Sequence, residues 1–435
     1  MSGNEKRPLV PRLRFPEFRE AWASSPMSEL YSFKCNNSLS RDKLNYAGGS
    51  FRNIHYGDIH TKFALHFRAD TEPVPYINDG ESHSAVRPEN YSIAGDVVFA
   101  DASEDMKDIG KAIEIIDTGD LPLVSGLHTI HARPKLGAFA LGFGAYLFSS
   151  EGIRTQIQHE AQGAKVLGLS ASRLANVQLY YPSQLNEQQK IVDCLSSLDD
   201  LITLESKKLN ALKLHKKGLM QRLFPTEGKT VPRLRFPGFQ REAWNEVTLG
   251  DLGTFTGGGT PSTQRKDYWS GKNPWVSSSD ISDESIFYIN ITRYVSDEAI
   301  TNSATKVVPE NSVLIVSRVG IGKIAVTKVP LCTSQDFTNL TPTYDDPLFL
   351  ALYLKTLVNV FLSMNQGMAI KGFTKNDISN LAISIPSIPE QRRIAECLSS
   401  LDDLITAETQ KLIVLKAHKK GLMQQLFPVL EDTMA

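Results

Sequence analysis

Glu187 to Pro225 reads EQQKIVDCLSSLDDLITLESKKLNALKLHKKGLMQRLFP, and Glu390 to Pro428 reads EQRRIAECLSSLDDLITAETQKLIVLKAHKKGLMQQLFP. About 28 of 39 positions match without a gap, at a constant offset of about 203 residues, so one unit has been copied within the chain. Repetition on this scale overrides local signals. Whatever the first copy builds, the second must build as well.

In the first copy Ile191, Leu195, Leu198, Leu201, Ile202, Leu209, Leu212, Leu219 and Leu223 recur at three- and four-residue spacing, which makes one apolar stripe on a helix. Ser387 and Glu390 have the spacing of a capping box. At the other end Lys216, Lys217 and Gly218, repeated as Lys419, Lys420 and Gly421, read as last-turn cations followed by a left-handed glycine cap. The pattern predicts about 33 helical residues and a rod of about 50 Å. An apolar stripe that long needs a partner, and the other copy is the nearest one, which suits an antiparallel coiled-coil pair. The alternative is two unrelated core helices. It does not explain why Ser196, Ser197, Asp199 and Asp200 return as Ser399, Ser400, Asp402 and Asp403, since different core environments impose no common outer surface. A shared surface suggests two equivalent docking sites for a partner.

A second repeat precedes each variable region. VPRLRFPEFREAW over Val10 to Trp22 returns as VPRLRFPGFQREAW over Val231 to Trp244. Such a segment is extended, and it serves either as a linker or as an anchor set in a groove. The boundaries that follow are a first domain over 1–184, a repeated helix over 185–225, a linker over 226–244, a second domain over 245–388, a repeated helix over 389–428 and a tail over 429–435. The two domains differ in sequence but keep the same order of features. NIHYGDI at Asn53 parallels PWVSSSDI at Pro274, Ile109-Gly110-Lys111 parallels Ile321-Gly322-Lys323, and Gln162-Gly163 parallels Gln366-Gly367. Short β-rich runs split by Gly, Pro, Asn and Asp, together with a helix over Leu348 to Met364 loosely matched by Phe139 to His159, predict an α+β domain in each copy.

With 435 residues, two or three domains are expected, and the net charge of −1 requires any basic surface to be local or supplied by partners. Cys35, Cys194, Cys332 and Cys397 have no metal-ligand spacing and read as reduced core residues of a cytoplasmic protein. The start lacks the apolar core of a signal peptide, and no apolar run reaches membrane-spanning length. Neither Gly257-Gly258-Gly259-Thr260 nor Gly320-Ile321-Gly322-Lys323 has phosphate-loop spacing, and GGGTPST reads as a flexible surface loop. GxSxG, HExxH, CxxC and strand-GxGxxG-helix units are missing, and Asn273-Pro274-Trp275 lacks the second Pro of an amino-methyltransferase tetrapeptide. No catalytic residue is assigned.

Two divergent domains, each followed by a near-identical helix ending in KKGLMQxLFP, resemble the specificity subunit of a type I restriction-modification enzyme. Further features carrying the resemblance are P-E-Q-R-x-I at Pro389 to Ile394, G-G-T-P at Gly258 to Pro261 and P-W-V-S-S-S-D-I at Pro274 to Ile281. The first domain lacks the GGTP element. The resemblance implies two target recognition domains, each reading half of a bipartite duplex DNA sequence, and two spacer helices paired antiparallel with pseudo-two-fold symmetry. It also implies two methyltransferase subunits and two restriction/translocase subunits as partners. S-adenosylmethionine, ATP and Mg would then be bound by those partners, with no cofactor or metal on this chain.

Base reading favours Arg, Lys, Asn and Gln, while hydroxyls and amides hold phosphates. The candidate DNA-binding residues are Tyr56, His60, Thr61, Lys62, Lys111, His128, Lys165 and Arg173 in the first domain. In the second they are Thr260, Ser262, Ser277, Ser279, Arg318, Lys323, Gln335, Lys371 and Lys375. Rival readings are a stand-alone two-domain DNA-binding regulator, which calls for a more basic surface, and a coiled-coil protein scaffold, which leaves the polar loops without a purpose. A free-standing nuclease or methyltransferase is opposed by the missing motifs.

Overall fold

Both repeated stretches are helical past the glycines expected to cap them, over Leu185–Leu223 and Ile388–Leu426, 39 residues each rather than about 33. At 1.5 Å per residue each is about 58 Å long. Gly218 and Gly421 do not terminate them. Neither adopts the left-handed backbone, and both lie inside the helix. The stop comes later because the apolar residues beyond the glycines are buried: Leu223 with Phe224, and Leu426 with Phe427. Burying two large side chains outweighs the roughly 1 kcal/mol that an internal glycine costs a helix. The capping box is absent as well. Ser387 donates its hydroxyl to Glu242 Oε2 at 2.7 Å, and Glu390 is engaged by a guanidinium, a stronger partner than a neutral cap.

This computed structural model describes residues 10–81, 87–226, 228–363 and 372–428. It divides into two units, Met1–Leu204 with Leu412–Ala435, and Glu205–Lys411. Gln366, Gly367, Lys371 and Met364 lie outside the described residues.

In the first unit Ala23–Pro26 pairs antiparallel with Gln178–Tyr181, closing the domain next to the helix start. A five-stranded sheet runs in the order Tyr31–Lys34, Thr129–Pro134, Val97–Ala100, Ala112–Asp117, His66–Arg68. A four-stranded sheet runs Leu123–Ser125, Arg52–Ile54, Tyr76–Ile77, Leu44–Asn45, its first pair parallel. The core joins Trp22, Phe99, Phe143 and Phe148 to Ile191 and Leu195 of the first long helix and to Leu426 and Phe427 of the second. The second unit repeats the plan. Asn245–Thr248 pairs with Ala382–Ile385, one sheet runs Gly253–Gly257, Thr338–Pro342, Val313–Ile315, Ile324–Val326, and the other contains the parallel pair Asn273–Val276 with Leu331–Thr333. Its core takes Leu223 and Phe224 from the first helix and Ile394 and Leu398 from the second. A mixed α/β domain in each half agrees with the sequence reading.

Each domain helix expected to be continuous is broken into two. Phe143–Ser149 is followed by Glu151–Glu160 across an extended Ser150, and Pro347–Thr356 by Val358–Ser363 across Leu357. At both breaks a tight turn takes over: the Ser150 amide bonds Leu147 O and the Leu357 amide bonds Leu354 O. Of the four cysteines only Cys332 is buried, while Cys194 and Cys397 are half-buried and Cys35 is exposed, so the expectation of four core residues holds for one. Among the described residues no three His, Cys, Asp or Glu side chains are grouped to hold a metal, and no helix is long and apolar enough to cross a membrane.

The apolar stripe is buried at Ile191, Leu195 and Leu223, but Leu201 is exposed and the middle of each helix is tied by charge. In the first unit Lys419 Nζ sits 2.5 Å from Asp199. In the second Lys216 is 2.5 Å from Asp402, Lys411 is 2.5 Å from Glu205, and Lys208 pairs with Glu408. Asp199 and Asp402 are repeat equivalents, as are Lys216 and Lys419, Glu205 and Glu408, and Lys208 and Lys411. Each ion pair therefore occurs twice with the helices exchanged.

Candidate nucleic-acid interface

The repeated RLRFP segments are anchors rather than linkers. Arg14 bonds Glu187 through Nε and Nη2, both at 2.7 Å, and Trp22 Nε1 reaches the same carboxylate at 3.2 Å. Arg235 bonds Glu390 at 2.9 and 2.6 Å, with Trp244 Nε1 at 3.2 Å. Next to each glutamate a buried glutamine fastens the domain. Gln188 accepts from the Ala140 amide at 2.7 Å and donates to Pro182 O at 2.8 Å; Gln391 accepts from Asp346 at 3.0 Å and donates to Pro386 O at 3.1 Å. With one end of each domain fixed in this way, its polar loops are held on a rigid base.

In the first domain those loops gather around the short helix Tyr56–Thr61. Its cap is His55, whose Nδ1 accepts from the Gly57 amide at 3.1 Å; burial, helped by the Arg41 charge, pushes its pKa down and keeps the ring neutral. The Tyr56 ring stands 5.2 Å from that of His128, which occupies the left-handed region at φ 58 and lies 3.2 Å from Asp101 Oδ1. Burial pushes the Asp101 carboxyl up, with His128 opposing. His60 Nε2 bonds Ala102 O at 3.0 Å, and Lys111 Nζ donates to His60 O at 2.7 Å. The pairing of Leu167–Gly168 with Ala102–Ser103 brings the loop of exposed Lys165 to the same edge. Tyr56, His60, Lys111, His128 and the Lys165 loop thus share one surface.

Three other first-domain candidates are otherwise engaged. Thr61 donates its hydroxyl to Gly57 O at 2.8 Å within its own helix, and Arg173 caps the helix Glu151–Glu160 by donating to Glu160 O at 3.0 Å. Lys62 is exposed but bonded to Tyr46 OH at 2.6 Å and Asp58 at 2.9 Å.

The second domain uses the aligned turn Ser278–Asp280. Ser277 and Asp280 cap it reciprocally, Ser277 Oγ lies 2.9 Å from Ser279 Oγ, and Lys323 Nζ donates to Ser278 O at 3.2 Å. The Ser334 amide bonds Val276 O, which carries exposed Gln335 close to this turn, and Gln335 in turn holds the Thr260 hydroxyl. The GGGTP run is not a flexible loop. A Cβ on Gly258 would fall 1.9 Å from Ser334 O and one on Gly259 2.3 Å from the Ala304 carbonyl carbon, so both glycines are there for close packing. Arg318 and Ser262 are exposed, the latter's carbonyl accepting from Trp269 Nε1 at 3.2 Å. Lys375 is exposed at the start of the helix Lys375–Ser379, behind a Thr374–Asp377 capping box. Arg41, Tyr46 and Arg293 sit at these turns and escaped the sequence reading. The one pointer to them was the shared Asp58 and Asp280.

The model of the type I restriction modification DNA specificity domain matches this chain twice, over residues 75–214 and 241–417. The chain belongs to this family. Over 188 residues it is 30% identical to the type I restriction enzyme MjaIX specificity subunit of Methanocaldococcus jannaschii, a match covering 42% of this chain and 44% of that subunit. Over 349 residues it is 26% identical to the putative MjaX specificity subunit of the same organism, covering 77% and 78%. The EcoR124I/EcoR124II specificity subunit of Escherichia coli is 30% identical over 176 residues, covering 38% and 42%. Among solved structures of the family, the type I restriction-modification S subunit from M. genitalium superposes with a TM-score of 0.58 at 16% identity, covering 97% of this chain and 100% of that one. A structure on complex assembly and conformational transition of the type I R-M system gives 0.55 at 18% identity, covering 94% and 97%. At such identities the likeness speaks for the fold.

Proposed function

We propose that this chain is the DNA-reading specificity subunit of a type I restriction-modification complex, non-catalytic itself. Each domain reads one half of a bipartite duplex target. The observation that carries this reading is the contrast within the family match: two domains of one plan whose polar loops have diverged, on helices and anchor segments that have not. A changing target frees the loops, and a fixed partner holds the rest.

The two long helices form an antiparallel coiled coil with pseudo-two-fold symmetry that spaces the domains. Support comes from the ion pairs, whose members run in opposite directions along the two helices, from Glu205–Lys411 to Lys216–Asp402. A rod of about 58 Å exceeds the roughly 34 Å of one duplex turn, enough to set two domains over separated half-sites. Asp199 and Asp402 are taken up by the ion pairs to the other helix, so the repeated residues left exposed, Ser197 and Asp200 with Ser400 and Asp403, dock two methyltransferase subunits, and two restriction/translocase subunits join them. S-adenosylmethionine, ATP and Mg belong to those partners, and the complex acts in the cytoplasm. Mapping methylated adenines at single-base resolution, in cells expressing the chain with and without its methyltransferase subunit, tests the whole reading. A two-part motif that needs both proteins is expected; no methylation from a soluble complex would overturn it.

A further inference from the structure

The two anchor segments are alike at their centre and unlike at their rim. At the centre of each, an arginine and a tryptophan hold a buried glutamate of a long helix, Arg14 and Trp22 on Glu187, Arg235 and Trp244 on Glu390. Just outside, the first copy carries Glu17, Gln189, Lys190 and Asp193 where the second carries Gly238, Arg392, Arg393 and Glu396. In the first, Lys190 lies 5.8 Å from the Phe15 ring and pairs with Glu17, while Gln189 donates to Asp193 Oδ1 at 2.8 Å. In the second, Arg393 lies 5.3 Å from the Phe236 ring with Glu396 at 3.6 Å, and Arg392 is exposed with no partner among the described residues. A cleft of 560 Å³ opens there between Phe236 and Phe239 of the anchor segment and Arg392, Arg393 and Glu396 of the helix. The missing acid has a backbone cause. The Phe239 amide bonds Phe236 O at 3.3 Å and closes a turn with Gly238 at φ 98, the left-handed value that the third position of a type II turn requires. Phe18 and Phe15 close the equivalent turn at 3.1 Å around Glu17, which has no positive φ and so can carry a side chain without strain.

Local charge is therefore opposite at the two rims. The second has two guanidiniums and one carboxylate, the first one ammonium and two carboxylates. Arg393, Glu396, Ser400 and Asp403 follow one another at three- and four-residue spacing, as do Lys190, Asp193, Ser197 and Asp200, so each rim continues the exposed repeated face of its own helix. Two copies of one partner bring the same surface to both faces. They meet like residues at the serines and aspartates and unlike ones at the rim. Free guanidinium donors beside aromatic rings have the composition of an interface anchor, and the planar group they belong to takes a carboxylate through two bonds. A DNA phosphate is the poorer occupant, because a duplex read by both domains meets both copies, and one rim has an excess of acid.

We propose that the cleft at Arg392 and Arg393 is a docking surface for a carboxylate-bearing segment of the methyltransferase subunit, so that two identical subunits bind this chain with unequal affinity, the site on the second unit filling first. The proposal rests on the specificity-subunit reading above. The test is stepwise binding of the methyltransferase subunit to the full chain by titration calorimetry. The parent is expected to take up two subunits with constants further apart than the statistical ratio for two identical sites. R392Q gives the second copy the residue that the first already carries at this exposed helical position, and it should weaken the tighter step about tenfold while leaving the weaker one unchanged. E17Q releases Lys190 and should strengthen the weaker step. Equal steps in the parent would overturn the proposal, as would an R392Q chain with both constants unchanged. So would an R392Q chain that binds the subunit as the parent does but loses affinity for duplex DNA, which marks a phosphate contact. If the parent binds no methyltransferase subunit at all, the specificity-subunit reading itself fails and the proposal falls with it.

Discussion

Glu390 presents both carboxylate oxygens to Arg235, at 2.9 and 2.6 Å, in a site where the glutamate side chain is fully buried and the arginine is 8% exposed. The pair joins the start of the second long helix to a segment 155 residues earlier. Removing one partner leaves the other charge stranded, so R235A should destabilise the second unit by about 3–5 kcal/mol, read from its denaturant midpoint. Replacing both partners with apolar residues of similar volume should recover much of that. A single variant within about 1 kcal/mol of the parent would contradict the anchoring role.

Two adjacent glycines provide an internal control. A Cβ on Gly258 meets Ser334 O at 1.9 Å, whereas one on Gly257 meets nothing within 4 Å. G258A should cost about 1–3 kcal/mol or more, and G257A should stay within about 0.5 kcal/mol. Equal effects in urea unfolding would rule out the close packing of the GGTP run.

Acid and base should act on the first domain through Glu114. The side chain is 2% exposed and accepts amide bonds from Gly142 and Ala145, both at 2.7 Å, yet burial pushes its carboxyl from the ordinary 4.5 up to about 7. A group with a raised folded pKa takes up a proton on folding. Its contribution is therefore complete below about pH 4.5 and is lost as the pH rises through about 7, with a slope of at most ~1.4 kcal/mol per pH unit. Melting temperatures of the parent and of E114Q across this range check it. The slope should vanish in the variant, and its persistence would assign the effect to another group.

If the helix pair sets the spacer, lengthening both helices by a heptad, after Leu204 and after Ala407, should add about 10 Å, or roughly 3 base pairs, between half-sites. Both half-site sequences should stay unchanged in the methylated motif. A change in the half-sites, with the spacer constant, would exclude the rod as the ruler. Exchanging residues 245–388 for another such domain should alter one half-site only.

The sequence revealed the periodic features of this molecule and hid the convergent ones. The stripe from Ile191 to Leu223 and the copied helices were legible because helical spacing is local. The glycine cap at Gly218 was misread because burial of Leu223 and Phe224, five residues further on, decides where the helix stops. Ser387 and Glu390 had capping spacing, but an arginine brought in by tertiary structure claimed the glutamate. In the two turns Lys111 and Lys323 are legible as a pair because they align, and both hold main-chain carbonyls, whereas Arg41 and Arg293 reach equivalent aspartates from opposite directions along the chain. No alignment of one domain on the other pairs them. Thr61 and Arg173 have the right chemistry but are turned onto main-chain carbonyls.

Gln188 and Gln391 grip their domains largely through the peptide backbone: the amides of Ala140 and Asp346 and the carbonyls of Pro182 and Pro386. Every residue carries a backbone carbonyl, and all but proline a backbone amide, so such a grip is largely indifferent to the side chains of what it holds. A domain with an entirely new surface could be fitted to the same helix by recombination and be secured from its first generation. Such a joint would let a lineage change its vocabulary in one event while its grammar stays fixed.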